Sequence, residues 1–179
     1  MRLFNLALAA AAAVPAACAH AQSTASAAVP PPCSDEVFRQ FDFWLGEWEV
    51  YDPAGKLAGV NSITSEERGC LLVERWTGAG GSSGQSYNFV DLESGKWRQV
   101  WVSAGATIDY QGGLNEKGEM VLEGTIGYGA GQPGNGAKFR GTWTPNGDGS
   151  VTQYFQQYDD AKEEWSDWFT GLYKRRAAK

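Results

Sequence analysis

The chain is nearly devoid of histidine. Its 179 residues contain one, His20, which falls inside an N-terminal stretch that reads as a cleavable export signal. Beyond that stretch no Ser/His/Asp or Cys/His nucleophile system can be assembled, nor a His-ligated zinc or a His-bound haem. Excess basic charge is missing as well. Removing residues 1–21 leaves 158, and Arg2 goes with them, so 14 Lys and Arg face 21 Asp and Glu, a formal charge of −7. A field of that sign disfavours nucleic acid and anionic lipid as partners. A bilayer-spanning run of about 20 strongly apolar residues is also lacking, because Pro15 and the small residues after it interrupt the apolar stretch.

The signal itself is legible in three parts. Met1-Arg2 supplies positive charge, residues 3–17 an apolar core, and Ala19-His20-Ala21 a small-x-small site, so cleavage is expected after Ala21 and the product is periplasmic or secreted. Lipoprotein processing at Cys18 is the alternative; the preceding Pro15-Ala16-Ala17 lacks the usual Leu. Residues 22–32 are Ala, Ser, Thr and Pro apart from Gln22 and Val29, without aromatics, a tether before a single domain over 33–176. Cleavage leaves two cysteines, Cys33 and Cys70. In an oxidising compartment they are expected to pair, with two buried thiols as the alternative.

What the chain has in abundance is aromatic residues and glycine. Past the signal lie 22 of the 23 aromatics, including eight Trp, and all 23 Gly, a composition of strands and turns. Ser34 is placed to cap a short helix with Asp35 and Glu36 in its first turn and Val37, Phe38 and Phe41 on one face, too short to stand alone and so expected to act as a plug. Strands are expected near 43–51, 57–67, 70–77, 85–92, 96–103, 106–114, 119–126, 137–144, 150–158 and 165–174, separated by Gly-, Asn- and Asp-rich turns. Connections this short join antiparallel neighbours. An all-β, closed up-and-down antiparallel barrel of about ten strands with a short N-terminal helix follows, with a two-sheet sandwich as the other arrangement.

Alternation offers each strand two faces. The sets Leu72/Glu74/Trp76, Ser86/Asn88/Val90, Trp97/Gln99/Trp101/Ser103 and Gln153/Phe155/Gln157 each have an opposing set of similar mixed polarity. Turned inward, Glu74, Trp76, Asn88, Trp97, Gln99, Trp101 and Gln153 line a lumen with indoles, amides and one carboxylate, suited to a small hydrophobic or aromatic ligand. A filled core with mutually satisfied polar groups is the competing expectation.

The run Phe41-Asp42-Phe43-Trp44-Leu45-Gly46-Glu47-Trp48-Glu49-Val50 contains a Gly-x-Trp element that resembles the opening of the first strand in lipocalins and other calycins. The resemblance implies an N-terminal plug and a late basic residue packed over the Trp, making Gly46, Trp48 and Arg175 structural. Together with Gly69-Cys70, Trp97-x-Gln99-x-Trp101-Val102, Thr142-Trp143-Thr144-Pro145 and Phe169-x-Gly171-x-Tyr173, the pattern over 33–175 resembles a family of small exported bacterial proteins, a domain of unknown function with a lipocalin-like barrel. The resemblance implies no catalytic residue. Haem-holding relatives of the calycin type use a histidine that this chain lacks.

Among chemical groups, Glu74 beside Trp76 is the one candidate acid or base, its carboxyl raised by burial; a structural ion pair with a buried Arg such as Arg140 is the plainer expectation. Asp109 and Tyr110 offer a second polar pair. Acidic pairs such as Glu66-Glu67 and Asp159-Asp160 lack calcium-loop spacing, and no metal or cofactor is expected. The Gly-rich stretches 78–84 and 127–136 lack the strand-before, helix-after context of a phosphate loop and read as rim loops. The expected function is binding of a small ligand in the lumen. The alternatives are a histidine-free enzyme working through Glu74 and an envelope interaction protein with a filled barrel.

Overall fold

Ten strands, each hydrogen-bonded to its sequence neighbours, close on themselves where the first meets the last. The structure, a computed structural model, describes residues 31–177. The strands are β1 Gly46–Tyr51, β2 Leu57–Glu66, β3 Leu71–Gly78, β4 Ser83–Val90, β5 Trp97–Ser103, β6 Thr107–Leu114, β7 Met120–Gly127, β8 Ala137–Pro145, β9 Val151–Asp159 and β10 Glu164–Arg175. All neighbouring pairs are antiparallel, and β1 closes the barrel against β10 in the register Trp48 opposite Arg175 and Val50 opposite Tyr173. The sheet is one closed barrel and not a sandwich, an architecture consistent with a calycin-like fold. The proposed signal and all but the end of the tether lie outside the described residues.

Closure leaves each strand one inner and one outer face, and burial alternates accordingly: in β4, Gly84, Ser86, Asn88 and Val90 are buried while Gln85 and Tyr87 are exposed. β1 begins at Gly46 and not near 43, because Asp42–Trp44 forms a 3-10 turn that swings Trp44 under the barrel. Gly46 marks the change of direction. Its φ of +131° suits a residue without a side chain, and a Cβ there would collide with the Arg175 guanidinium. That guanidinium lies over the Trp48 ring, 3.9 Å from its centroid, and donates to the Leu45 carbonyl.

The expected plug helix is a 3-10 turn, Glu36–Arg39, capped by the Asp35 carbonyl rather than by the Ser34 side chain. Its four residues are too few for a 13-atom hydrogen-bonded ring to propagate, so tertiary anchors hold it. Phe38 is buried. Arg39 donates to the carbonyls of Cys33 and Gly69, the latter at 2.7 Å. A Cys33–Cys70 disulfide ties the plug to the turn before β3. Behind it, Phe41 stacks on Trp44 at 4.9 Å and meets Trp97 and Trp143 edge-on at 5.6 and 5.3 Å. Indole N–H groups of Trp97 and Trp48 are satisfied by the carbonyls of Val37 and Trp44. One end of the barrel is thereby packed solid with aromatic rings.

Candidate functional site

The opposite half of the lumen is open. A cavity of about 390 Å³ occupies it, within the range of small-molecule sites, and its mouth lies among the β3–β4, β5–β6 and β7–β8 connections and the start of β10. Its walls are largely aromatic. Trp76 from β3 leans across the sheet onto Gly59 of β2, where a Cβ would come within 2.6 Å of the ring, and Trp101 from β5 covers Gly84 of β4 in the same way. Two glycines thus leave room for two indoles to lie against the barrel wall instead of filling its centre. Ile108, Phe155 and Phe169 complete the apolar sides.

The floor is polar. Eight side chains from seven strands form one hydrogen-bonded chain around the wall. The Tyr110 hydroxyl donates to Gln99, and the Gln99 amide donates to Asn88. Asn88 donates to Ser86 at 2.9 Å and to the Leu72 carbonyl at 3.1 Å. Ser86 donates to Glu74 Oε2 at 2.6 Å. From the other side, Asn61 Nδ2 donates to Glu74 Oε1 at 2.7 Å and to the Tyr173 hydroxyl at 3.1 Å, and Tyr173 donates to Gln153 at 2.8 Å. Such continuity satisfies groups whose burial would otherwise cost about 1–3 kcal/mol each.

Glu74 is the acceptor on which both arms converge. It is 4% exposed, faces the cavity and is the sole charged side chain lining it among the described residues. Burial pushes its carboxyl up to about 7, against the lowering effect of the Ser86 and Asn61 hydrogen bonds, and no cationic group contributes. Arg140, the expected partner, is on the outer face of β8, paired with Glu123 at 2.7 Å and stacked on Trp165. Asp109 and Tyr110 do not act together, since adjacent strand residues point to opposite faces. Asp109 pairs outside with Arg98, while Tyr110 is buried in the lumen and, like Tyr173, titrates well above 10 because burial and the nearby Glu74 disfavour its phenolate.

Of the residues proposed from sequence, Glu74, Trp76, Gln99, Trp101 and Gln153 line the cavity. Asn88 and Trp97 do not. Asn88 lies behind Gln99 as a relay in the floor, and Trp97 is at the plugged end, hydrogen-bonded to Val37. Strand parity was silent on depth along the barrel axis. Sequence reading named Tyr110 only as a partner of Asp109 and Tyr173 only within a family-like element, not as parts of the floor, and it missed Tyr128 and Trp168 at the mouth altogether. The last pair is joined by the Trp168 indole donating to the Tyr128 hydroxyl at 2.9 Å. Trp168 is the extra residue of a β-bulge, where the β9–β10 register shifts between Asp167 and Phe169. The bulge lets two successive residues, Trp168 and Phe169, face the cavity. No protein-family model and no curated protein matches this chain.

Proposed function

We propose that the protein is an exported binding module that holds a small apolar or aromatic molecule in its barrel lumen. The observation that carries this reading is the aromatic-walled cavity of about 390 Å³, open at one end and stopped at the other by the plug. A fixed polar floor beneath apolar walls is what orients a ligand while the walls supply contact area. The cavity also weighs against an interaction protein with a filled barrel. Export is supported by the N-terminal sequence pattern and by the disulfide, and among the described residues no helix is long and apolar enough to cross a membrane. Membership of the exported bacterial lipocalin-like family rests on the Gly46-Glu47-Trp48 pattern and the barrel that follows it.

Two experiments test this. Cell fractionation with N-terminal sequencing is expected to recover a chain beginning at Gln22 outside the cytoplasm. Native mass spectrometry of protein purified without denaturation, followed by titration monitored through Trp76 and Trp101 fluorescence, is expected to show a bound small molecule and quenching. A folded protein with no adduct and no response to fatty acids, quinones, phenolics or aryl amines would remove the proposal.

A second reading is favoured by one observation, the placement of a carboxyl titrating near neutrality against the cavity. In that reading Glu74 transfers a proton to or from a small organic substrate. Incubating a bound compound in deuterated water separates the two: a binding module returns it unchanged, whereas a proton-transfer catalyst exchanges or converts it and Glu74→Gln abolishes the change.

A further inference from the structure

We infer that the lumen selects an organic cation, an aryl or alkyl ammonium whose charged nitrogen sits on Glu74 while its apolar body lies among the indoles. The inference deepens the lumen-binding reading and rests on it.

The cavity has a single charge, and it is negative. Eight of its seventeen lining residues are aromatic, none is Lys or Arg, and Glu74 is the one ionisable side chain that carries charge near neutral pH. Aromatic faces present the negative lobe of their quadrupole, so indole and phenol walls add to the carboxylate field instead of opposing it. An anionic ligand such as a fatty acid would enter against both, with no cation to receive it. An ammonium gains from both.

The floor is built for this in a second respect. It leaves hydrogen-bond acceptors unused beside Glu74. Each Glu74 oxygen accepts one hydrogen bond, which leaves about half of the roughly four lone-pair directions of a carboxylate unused. Asn61 Oδ1, buried alongside, has no hydrogen-bond partner. A carboxylate held this deep without a cation is unfavourable in the empty protein, and a ligand that brings the cation removes that penalty as it binds. The ionisable groups facing Glu74 from the surrounding strands are Tyr173 of β10 and Tyr110 of β6, both neutral across the working range. β2, β4, β5 and β9 contribute Asn61, Ser86, Gln99 and Gln153, which do not titrate. Glu74 therefore governs any pH dependence of the site.

The test uses three naphthalene compounds of nearly one shape, measured by calorimetry on the whole exported chain: naphthylmethylamine, naphthylmethanol and naphthoate. At pH 8 the amine is expected to bind at least about tenfold more tightly than the alcohol, a difference of about 1.4 kcal/mol, and naphthoate most weakly. Because ionised Glu74 is the competent form, amine affinity is expected to rise about tenfold from pH 6 to pH 8 while alcohol affinity stays flat. Amine binding at pH 6 is expected to release about one proton, read from heats in buffers of different ionisation enthalpy. Glu74→Gln is expected to bring amine affinity down to that of the alcohol. A cooperative urea transition reports whether the variant is folded; if it is not, the wild-type pH series and proton release decide.

Equal binding of all three compounds, or an amine affinity indifferent to pH and to Glu74→Gln, overturns the cation inference and leaves lumen binding standing. Failure of every compound to bind a folded protein at millimolar concentration overturns the inference and counts against lumen binding too.

Discussion

Ser86 and Glu74 stand directly opposite one another across the β3–β4 pair, and the Ser86 hydroxyl donates to Glu74 Oε2 at 2.6 Å. That bond favours the ionised carboxyl, as does the bond from Asn61, yet burial dominates and the carboxyl titrates near 7. The folded state therefore binds a proton more tightly than the unfolded chain, whose Glu titrates near 4.5. By linkage, the stabilisation is fully present below about pH 4.5 and is lost as pH rises through about 7. At about 1.4 kcal/mol per pH unit it amounts to roughly 3 kcal/mol. Carboxylates such as Asp91 and Asp148, held low by hydrogen bonds to Ser94 and Ser150, act in the opposite direction at more acid pH. Urea unfolding at pH 5 and pH 8 should show a steeper loss for the wild type than for Glu74→Gln, which lacks the titrating group. Parallel profiles for the two proteins would mean that Glu74 is not perturbed in solution.

The disulfide should matter most to the plug. It closes a separation of 37 residues, for which chain entropy predicts about 3–4 kcal/mol. Cys33→Ser with Cys70→Ser is expected to lower the unfolding free energy by that order and to loosen the contact between Val37 and Trp97 first. Hydrogen exchange should accordingly rise at residues 35–45 while the β6–β9 wall keeps its protection. Uniform loss of protection would show that plug and barrel unfold as one unit.

Trp97 and Trp101 share a strand and a face but not a role. Trp97 is 2% exposed and packed against Phe41, so Trp97→Ala should cost about 3–5 kcal/mol through the void it leaves. Trp101 is half-buried along the cavity wall. Trp101→Ala enlarges a space already present, and is expected to cost less stability while weakening ligand binding. Denaturant midpoints and calorimetric affinities on the two variants would check this. A Trp97→Ala protein that stays stable but loses binding would reverse the assignment.

How far the site could be read from sequence follows from the same geometry. Period-two alternation grouped Glu74 with Trp76, Gln99 with Trp101 and Gln153 with Phe155 before any coordinate was known, but both faces of these strands are of mixed polarity, so the inward face itself was not decided by pattern. Short polar turns imposed antiparallel neighbours, and closure followed. Depth was not legible, because parity assigns Trp97 and Trp101 to one face without saying that the plug reaches only the first. Partner choice was not legible either: Glu74 and Arg140 are complementary in charge but lie on opposite sides of the wall. Tyr173 entered only as the last residue of the Phe169-x-Gly171-x-Tyr173 element, with nothing in the pattern to say that its phenol completes the floor.

Trp168 escaped for a different reason, and its placement yields the sharpest test of the mouth. Unbroken alternation from Phe169 would send it outward; the bulge between Asp167 and Phe169 turns it back over the opening, 46% exposed and hydrogen-bonded to Tyr128. Trp165, three residues earlier, lies on the outer wall against Tyr158 and Arg140. Both are aromatic residues of one strand, so each serves as a control for the other. Trp168→Ala removes one hydrogen bond and a half-exposed ring packed on Phe139 and Phe155, a stability loss of about 3 kcal/mol, but it unroofs the cavity. Stopped-flow displacement of bound naphthylmethylamine should therefore show faster release from Trp168→Ala and an unchanged rate from Trp165→Ala. Identical release from the two variants would place the ligand's exit elsewhere along the rim and remove Trp168 from the path.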